Sequence, residues 1–204
     1  MKRLPIYKSN ALYLSRTLIF YSVILTLFVL AFITQKITGT HENSIFQVLI
    51  FIAFGIFIIG LLISFLGIRK NKPLYGKIIG YISFTKEEIK VGEKVIKIKE
   101  INKIEFEGVD WLGLFEGYQT YSFENKLSNG TKNWIIINID NSILKVRFQK
   151  FNACELSEFR EEFIEYYNQG KISYLQLIDN LCISSEDEKR KLKNGTTTNS
   201  SLAQ

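Results

Sequence analysis

The chain has 204 residues, 47% of them hydrophobic, with a formal net charge of +6, one histidine and two cysteines. That is enough for one soluble domain beside a small membrane unit, and too few cysteines for a disulfide framework. Residues 1–72 hold eight Lys/Arg against one acid, Glu42, whereas residues 73–204 hold eighteen against nineteen Asp/Glu. The basic excess therefore flanks a membrane segment, and a nucleic-acid partner, which needs cations clustered on the domain itself, is disfavoured.

Residues 1–16 form a basic N-terminus carrying Lys2, Arg3, Lys8 and Arg16 without an acid. Residues 17–35 are the first uncharged run. A signal peptide is the competing reading, but the run exceeds the usual apolar region, no small-x-small cleavage site follows Ala31, and a second apolar run comes directly after. A retained transmembrane helix is expected. Residues 36–44 make a short neutral turn in which His41 is a plain polar residue. Residues 45–68 are dense in Ile, Leu and Phe with no charge, and at about 1.5 Å per residue they span roughly 36 Å, enough for a bilayer core of about 30 Å.

Arg69, Lys70, Lys72 and Lys77 follow. Cations at both outer ends of the hairpin and few in its turn predict two cytoplasmic termini and a multi-pass protein of the cytoplasmic (inner) membrane. Ala53, Gly60 and Gly67 recur every seven residues and Ser64 lies four beyond Gly60, so these four mark a helix-packing stripe, with Ser22 and Thr26 as a similar pair on the first helix. The stripe fits packing within the hairpin, or self-association through the same face. Neither span carries an ionisable residue in its interior, which removes the means for an ion or proton pathway.

After Pro73 the apolar period becomes that of half-buried strands. Strands are predicted at residues 77–84, 88–91, 94–99, 102–107, 118–125, 133–139 and 142–148, with Asp140-Asn141 a two-residue connection that tolerates positive φ. The period then turns helical. Asn152 and Glu155 form a capping-box pattern, Leu156, Phe159, Phe163 and Tyr166 one apolar stripe, and Gly170 suits the position past the helix end. A short accessory helix is expected over 172–182 and a disordered tail over 186–204. Cys154 and Cys182 are expected as reduced thiols if the domain is cytoplasmic.

Seven short strands closed by one amphipathic helix, Leu156 to Tyr166, over residues 77–170, behind a hydrophobic helix pair, resemble the bacterial membrane proteins with pleckstrin-homology-like domains. The resemblance is one of element order. It implies a membrane α-hairpin followed by an α+β domain, a bent seven-stranded sheet or partly open barrel closed by the C-terminal helix, with Phe159 and Phe163 as the plug. It also implies a scaffold that docks partners or gathers into assemblies. Relatives that bind phosphoinositides use a basic first hairpin. The corresponding turn here is Thr85-Lys86-Glu87-Glu88, whose carboxylates would repel a phosphate cluster, so no specific phosphoinositide site is carried over.

No nucleotide-binding, nucleophile-elbow or metal-ligand pattern occurs. Asp110 and Glu116 flank an aromatic segment without forming a recognisable acid/base pair, and the sequons at Asn129 and Asn194 are incidental on a cytoplasmic domain. The segment from Val109 to Tyr118 places Trp111, Leu112, Leu114 and Phe115 between glycines, where loops are usually polar, making these four a candidate interface, or else an edge cover for the core. The sequence thus points to a non-enzymatic, cofactor-free binding or scaffold module at the cytoplasmic membrane face. It would meet membrane lipids as solvent and a protein partner or its own copies through binding. A lipid- or stress-sensing module and a small immunity or regulatory protein acting through its hairpin are the alternatives. The Ile, Lys and Asn bias fits a bacterial source.

Overall fold

The computed structural model describes residues 2–10, 14–39, 44–117, 123–140 and 142–200. They fall into two compact units: a sheet unit of Met1–Ser9, Gly76–Leu114 and Asn129–Gln204, and a hairpin unit of Asn10–Tyr75 and Phe115–Ser128.

The sheet unit opens with a strand that the sequence reading left as a basic tail, β1 (Leu4–Ser9). It continues with β2 (Gly76–Phe84), β3 (Glu88–Val91), β4 (Lys94–Lys97), β5 (Lys103–Glu107) and, after the excursion through the hairpin unit, β8 (Asn133–Ile139) and β9 (Ser142–Phe148). These seven make one antiparallel sheet in the order β4-β3-β2-β1-β9-β8-β5. It is an open sheet, with β4 and β5 at its edges, and not a closed barrel. Two further short strands, β6 (Leu112–Phe115) and β7 (Leu127–Asn129), pair separately.

Five of the seven expected strands lie where alternation placed them. The third stops at Lys97 because Ile98–Glu100 turn as a 3-10 helix, which sets Ile98 and Ile101 three residues apart on one side, both buried. The strand expected at 118–125 is not formed by its described residues, Phe123 to Asn125, and 118–122 lie outside the described residues, as does His41. The seventh strand of the sheet is β1 instead. Leu4 pairs with Ile82 and Ile6 with Gly80, and Ile6 alone bridges Phe148 of β9. Pro5, which lacks an N–H, is accommodated beside that single bridge, its carbonyl accepting from the Gln149 N–H.

One face of the sheet is covered by a 3-10 turn (Glu155–Phe159) running into α3 (Arg160–Asn168), and by α4 (Tyr174–Asn180). The predicted stripe Leu156, Phe159, Phe163 and Tyr166 is buried against Leu4, Ile82, Phe84, Ile104, Ile135, Ile137 and Phe148. Phe163 meets Phe84 edge-on at 5.3 Å and Phe106 at 5.2 Å. Burial raises the pKa of the Tyr166 hydroxyl, which donates to the Thr85 carbonyl at 2.5 Å. The expected capping box forms by half: Glu155 accepts from the Phe151 N–H, but Asn152 is not the cap. Gly170 takes φ +71°, and Asp140 takes φ +44° at the hairpin connection.

Two expectations fail at the C-terminus. Cys154 and Cys182 are joined in a disulfide, fastening the start of the 3-10 turn to the end of α4. The segment expected as a disordered tail contains α5 (Glu186–Ser200). Its three acids in the first turn complement the helix dipole, Arg160 pairs with Glu188 at 2.8 Å, and Leu192 packs on the core.

The hairpin unit holds α1 (Arg16–Thr38) and α2 (Ser44–Leu66), which pack along one another. Ser15 caps α1, accepting from the Leu18 N–H, and Gly39 ends it at φ +71°. Both helices are long and apolar enough to cross a membrane, and hardly any of either is buried within the protein. That last point separates them from core helices of a soluble protein, whose surface is enclosed by the chain. Ser22 and Thr26 of α1 donate to carbonyls four residues back and stay exposed, so they serve their own helix.

Candidate functional site

The small-residue stripe on α2 has an occupant that its sequence did not disclose. Ala53, Gly60 and Gly67 are buried and Ser64 is half-buried, but Gly60 and Gly67 receive the excursion Phe115–Ser128. The Phe123 side chain is 3% exposed, with its ring 5.0 Å from Phe20, 5.5 Å from Tyr21 and 6.4 Å from Phe57. A Cβ on Gly60 would lie 2.9 Å from a Phe123 ring carbon, and one on Gly67 would lie 2.9 Å from Asn125 Oδ1. Absence of side chains at 60 and 67 thus makes a seat for an aromatic ring and a carboxamide.

The excursion also satisfies helix ends that otherwise need water. The Glu124 carboxylate accepts from the Arg16 N–H at 2.6 Å, an anion at the positive end of α1, and the Phe123 N–H donates to Thr17 Oγ1 at 3.0 Å. Beyond α2, the Lys126 N–H donates to the Gly67 carbonyl, Leu127 N–H to Lys70, and Lys72 N–H to Leu127. Asn125 Nδ2 donates to the Asn71 carbonyl at 2.6 Å, and Lys72 pairs with Glu116. Burial holds the pKa of Lys126 below its ordinary value, helped by Lys72 and opposed by Glu124.

A cavity of about 260 Å³ opens at this end of the hairpin, lined by Arg16, Ile63, Leu66, Gly67, Lys70 and Asn125. It sits where the apolar stretch of α1 begins and that of α2 ends.

The candidate interface residues divide. Leu112, Leu114 and Phe115 form β6 where a loop was expected; Phe115 is 42% exposed, while Trp111, Leu112 and Leu114 are half-buried and stand outside the core cluster. Asp110 is structural: its N–H donates to Asn133 Oδ1 at 3.0 Å, its Oδ2 accepts from the Lys132 N–H at 2.9 Å, and Asn133 Nδ2 returns a bond to its carbonyl. Nearby, burial lowers the pKa of Lys150, against Glu155 and Asp110, and raises that of Glu155, against the N–H groups of Phe151 and Asn152. Among the described residues no group of three or more His, Cys, Asp or Glu is arranged to hold a metal ion.

Sequence reasoning missed the uncovered face of the sheet. Cross-strand pairing puts Tyr81, Lys90, Val95, Lys145, Arg147, Trp134 and Ile143 on the side away from α3 and α4. Tyr81, Val95 and Ile143 are exposed, at 50%, 49% and 72%. Arg147 lies over both Tyr7 and Trp134, at 4.9 and 5.6 Å, and Lys145 over Trp134 at 5.2 Å. The outward residues of the predicted strands carried this signal, since Tyr81, Ile143 and Trp134 are apolar at alternate positions where polar residues are usual. No family model, curated protein or solved structure matches this chain.

Proposed function

We propose that the protein is a membrane-anchored, non-enzymatic binding module in which the two-helix hairpin spans the membrane and the sheet unit presents its uncovered face to a protein partner. The observation that carries the reading is that face: exposed Tyr81, Val95 and Ile143, with Arg147 and Lys145 over the half-buried Trp134 on the same side of the sheet. Aromatic and Arg side chains in this arrangement are the usual anchors of protein interfaces. The carboxylates of Asp110, Glu124 and Glu155 accept from backbone N–H groups, a structural use that favours binding over catalysis.

Spanning is supported by strand pairing. β1 and β2 are neighbours in one sheet, so Ser9 and Gly76 share a compartment and the chain between them crosses the bilayer an even number of times. Two helices of the right length supply two crossings. Loss of the N-terminal residues by signal cleavage would remove a central strand.

The test is co-purification of the intact protein from detergent-solubilised membranes against the Tyr81→Asp/Ile143→Asp variant. The variant is expected to keep the melting temperature within about 3 °C, since both side chains face outward, and to lose the partner recovered with the parent chain. An unchanged set of partners would sink this docking face.

Orientation has two opposed signals. The flanking cations put both termini in the cytoplasm, whereas the Cys154–Cys182 disulfide favours an extracytoplasmic sheet unit, because disulfides persist in oxidising compartments. We give the cations precedence, and an impermeant maleimide decides. Applied to intact cells after mild reduction, it is expected to leave both cysteines unlabelled until the membrane is opened. Labelling in sealed cells would invert the assignment.

A further inference from the structure

We infer that the cavity at the end of the hairpin unit binds the phosphate headgroup of an anionic phospholipid, with the Arg16 guanidinium and Lys70 ammonium on the phosphate and Ile63 and Leu66 along the first methylenes of an acyl chain. The inference rests on the spanning reading above and adds a ligand to it.

The cavity's place along the helices is the first observation. Arg16 is the first residue of α1, Ile63 and Leu66 belong to the last turn of α2, and Lys70 follows that helix directly. In a spanning hairpin these positions lie at headgroup depth, with apolar walls below and cations above. Ile63 and Leu66 are 36% and 68% exposed, so the apolar wall is open to the surrounding solvent, which in a membrane is lipid.

Charge is the second. The acids of this region already have partners: Glu124 accepts from the Arg16 N–H and Glu116 pairs with Lys72. Arg16 and Lys70 pair with no carboxylate among the described residues. With Lys72 and Lys126 nearby, cations outnumber acids, and an anion of lipid origin is the complement. A guanidinium and an ammonium suit phosphate oxygens by charge-assisted hydrogen bonds.

The third is a wall that holds its shape. Asn125 is fixed by its bond to the Asn71 carbonyl and by contact with Gly67, whose missing side chain leaves the cavity room. Both are buried, so this wall of the cavity is fixed while Arg16 and Lys70 at its mouth are exposed.

The test uses the intact protein in neutral detergent, with dioleoyl phosphatidylglycerol and dioleoyl phosphatidylcholine added in parallel and bound lipid read by native mass spectrometry. Phosphatidylglycerol is expected to be retained about tenfold more than phosphatidylcholine. Arg16→Gln/Lys70→Gln should remove that preference, Arg16→Lys/Lys70→Arg should keep it, and Lys94→Gln/Lys97→Gln on the sheet edge should leave it unchanged. Equal retention of the two lipids, or an unaffected Gln variant, would overturn the site. Displacement of the lipid by millimolar inorganic phosphate would also overturn it, since it would make the ligand a soluble anion. Alkaline carbonate extraction of membranes reads the spanning separately. A protein released without detergent defeats the spanning reading, whereas one retained in the pellet that shows no lipid preference defeats only this site.

Discussion

The Phe163→Ala variant is expected to lose about 3–5 kcal/mol of stability in the sheet unit. Phe163 is fully buried and central to a ring cluster, 5.3 Å from Phe84, 5.2 Å from Phe106, 6.0 Å from Phe159 and 6.1 Å from Tyr166. Its partners stand on two strands, on its own helix and on the 3-10 turn before it, so they cannot all move into the space a methyl group would leave. The cost therefore combines lost apolar transfer with a persistent void. Denaturant unfolding of the detergent-solubilised protein, followed by tryptophan fluorescence, should show the midpoint falling with little change in slope. Phe115→Ala, at a side chain 42% exposed, serves as the control and should stay within about 1 kcal/mol. Similar losses for both would mean that α3 does not plug the sheet.

The Leu4→Asp variant should be more damaging still. Leu4 is 1% exposed on the central strand, paired with Ile82 and packed in the same cluster as Phe163. A carboxylate there meets no donor and must either stay charged in an apolar site or take up a proton, costing several kcal/mol in either case. Loss of β1 would also expose the backbone of β2 and β9. Hydrogen exchange provides the readout. Amides of β2 and β9 should lose protection in the variant, while those of α1 and α2 remain protected. Unchanged exchange in β2 would show that the N-terminal strand is dispensable.

Those two residues mark how far the sequence could be read. The α3 stripe was legible because Leu156, Phe159, Phe163 and Tyr166 follow a helical period that the turn of helix must bury together. Five of the sheet strands were legible for the same reason at period two, and the two spanning-length helices by apolar length alone. β1 was not. Its apolar pattern is two residues, Leu4 and Ile6, interrupted by Pro5 and surrounded by Lys2, Arg3 and Lys8, a composition that also fits the cytoplasmic flank of a span. What decides for a strand is the gap between β2 and β9, which is set by residues far along the chain. The helical tail was missed because a polar segment shows its helix only through dipole-matched acids and a single anchoring Leu192. The candidate site was legible in half. Small residues at 60 and 67 announced close packing, but the partner is Phe123 and Asn125 of an excursion no local pattern connects to α2. The disulfide joins cysteines 28 residues apart and was equally invisible to spacing.

The position of β1 also fixes an order of events during synthesis. Residues 4–9 leave the ribosome well before the strands that flank them, Gly76–Phe84 and, by way of Ile6, the end of β9 at Phe148. Both apolar helices, ending at Leu66, are made inside that interval. At about 5–20 residues per second the wait from β1 to Phe148 is on the order of ten seconds. Both apolar helices are thus complete while β1 is still an unpaired basic peptide. On the spanning reading proposed above, insertion of the hairpin precedes closure of the sheet, and a ribosome halted between residues 84 and 148 should carry an inserted hairpin beside a half-built domain.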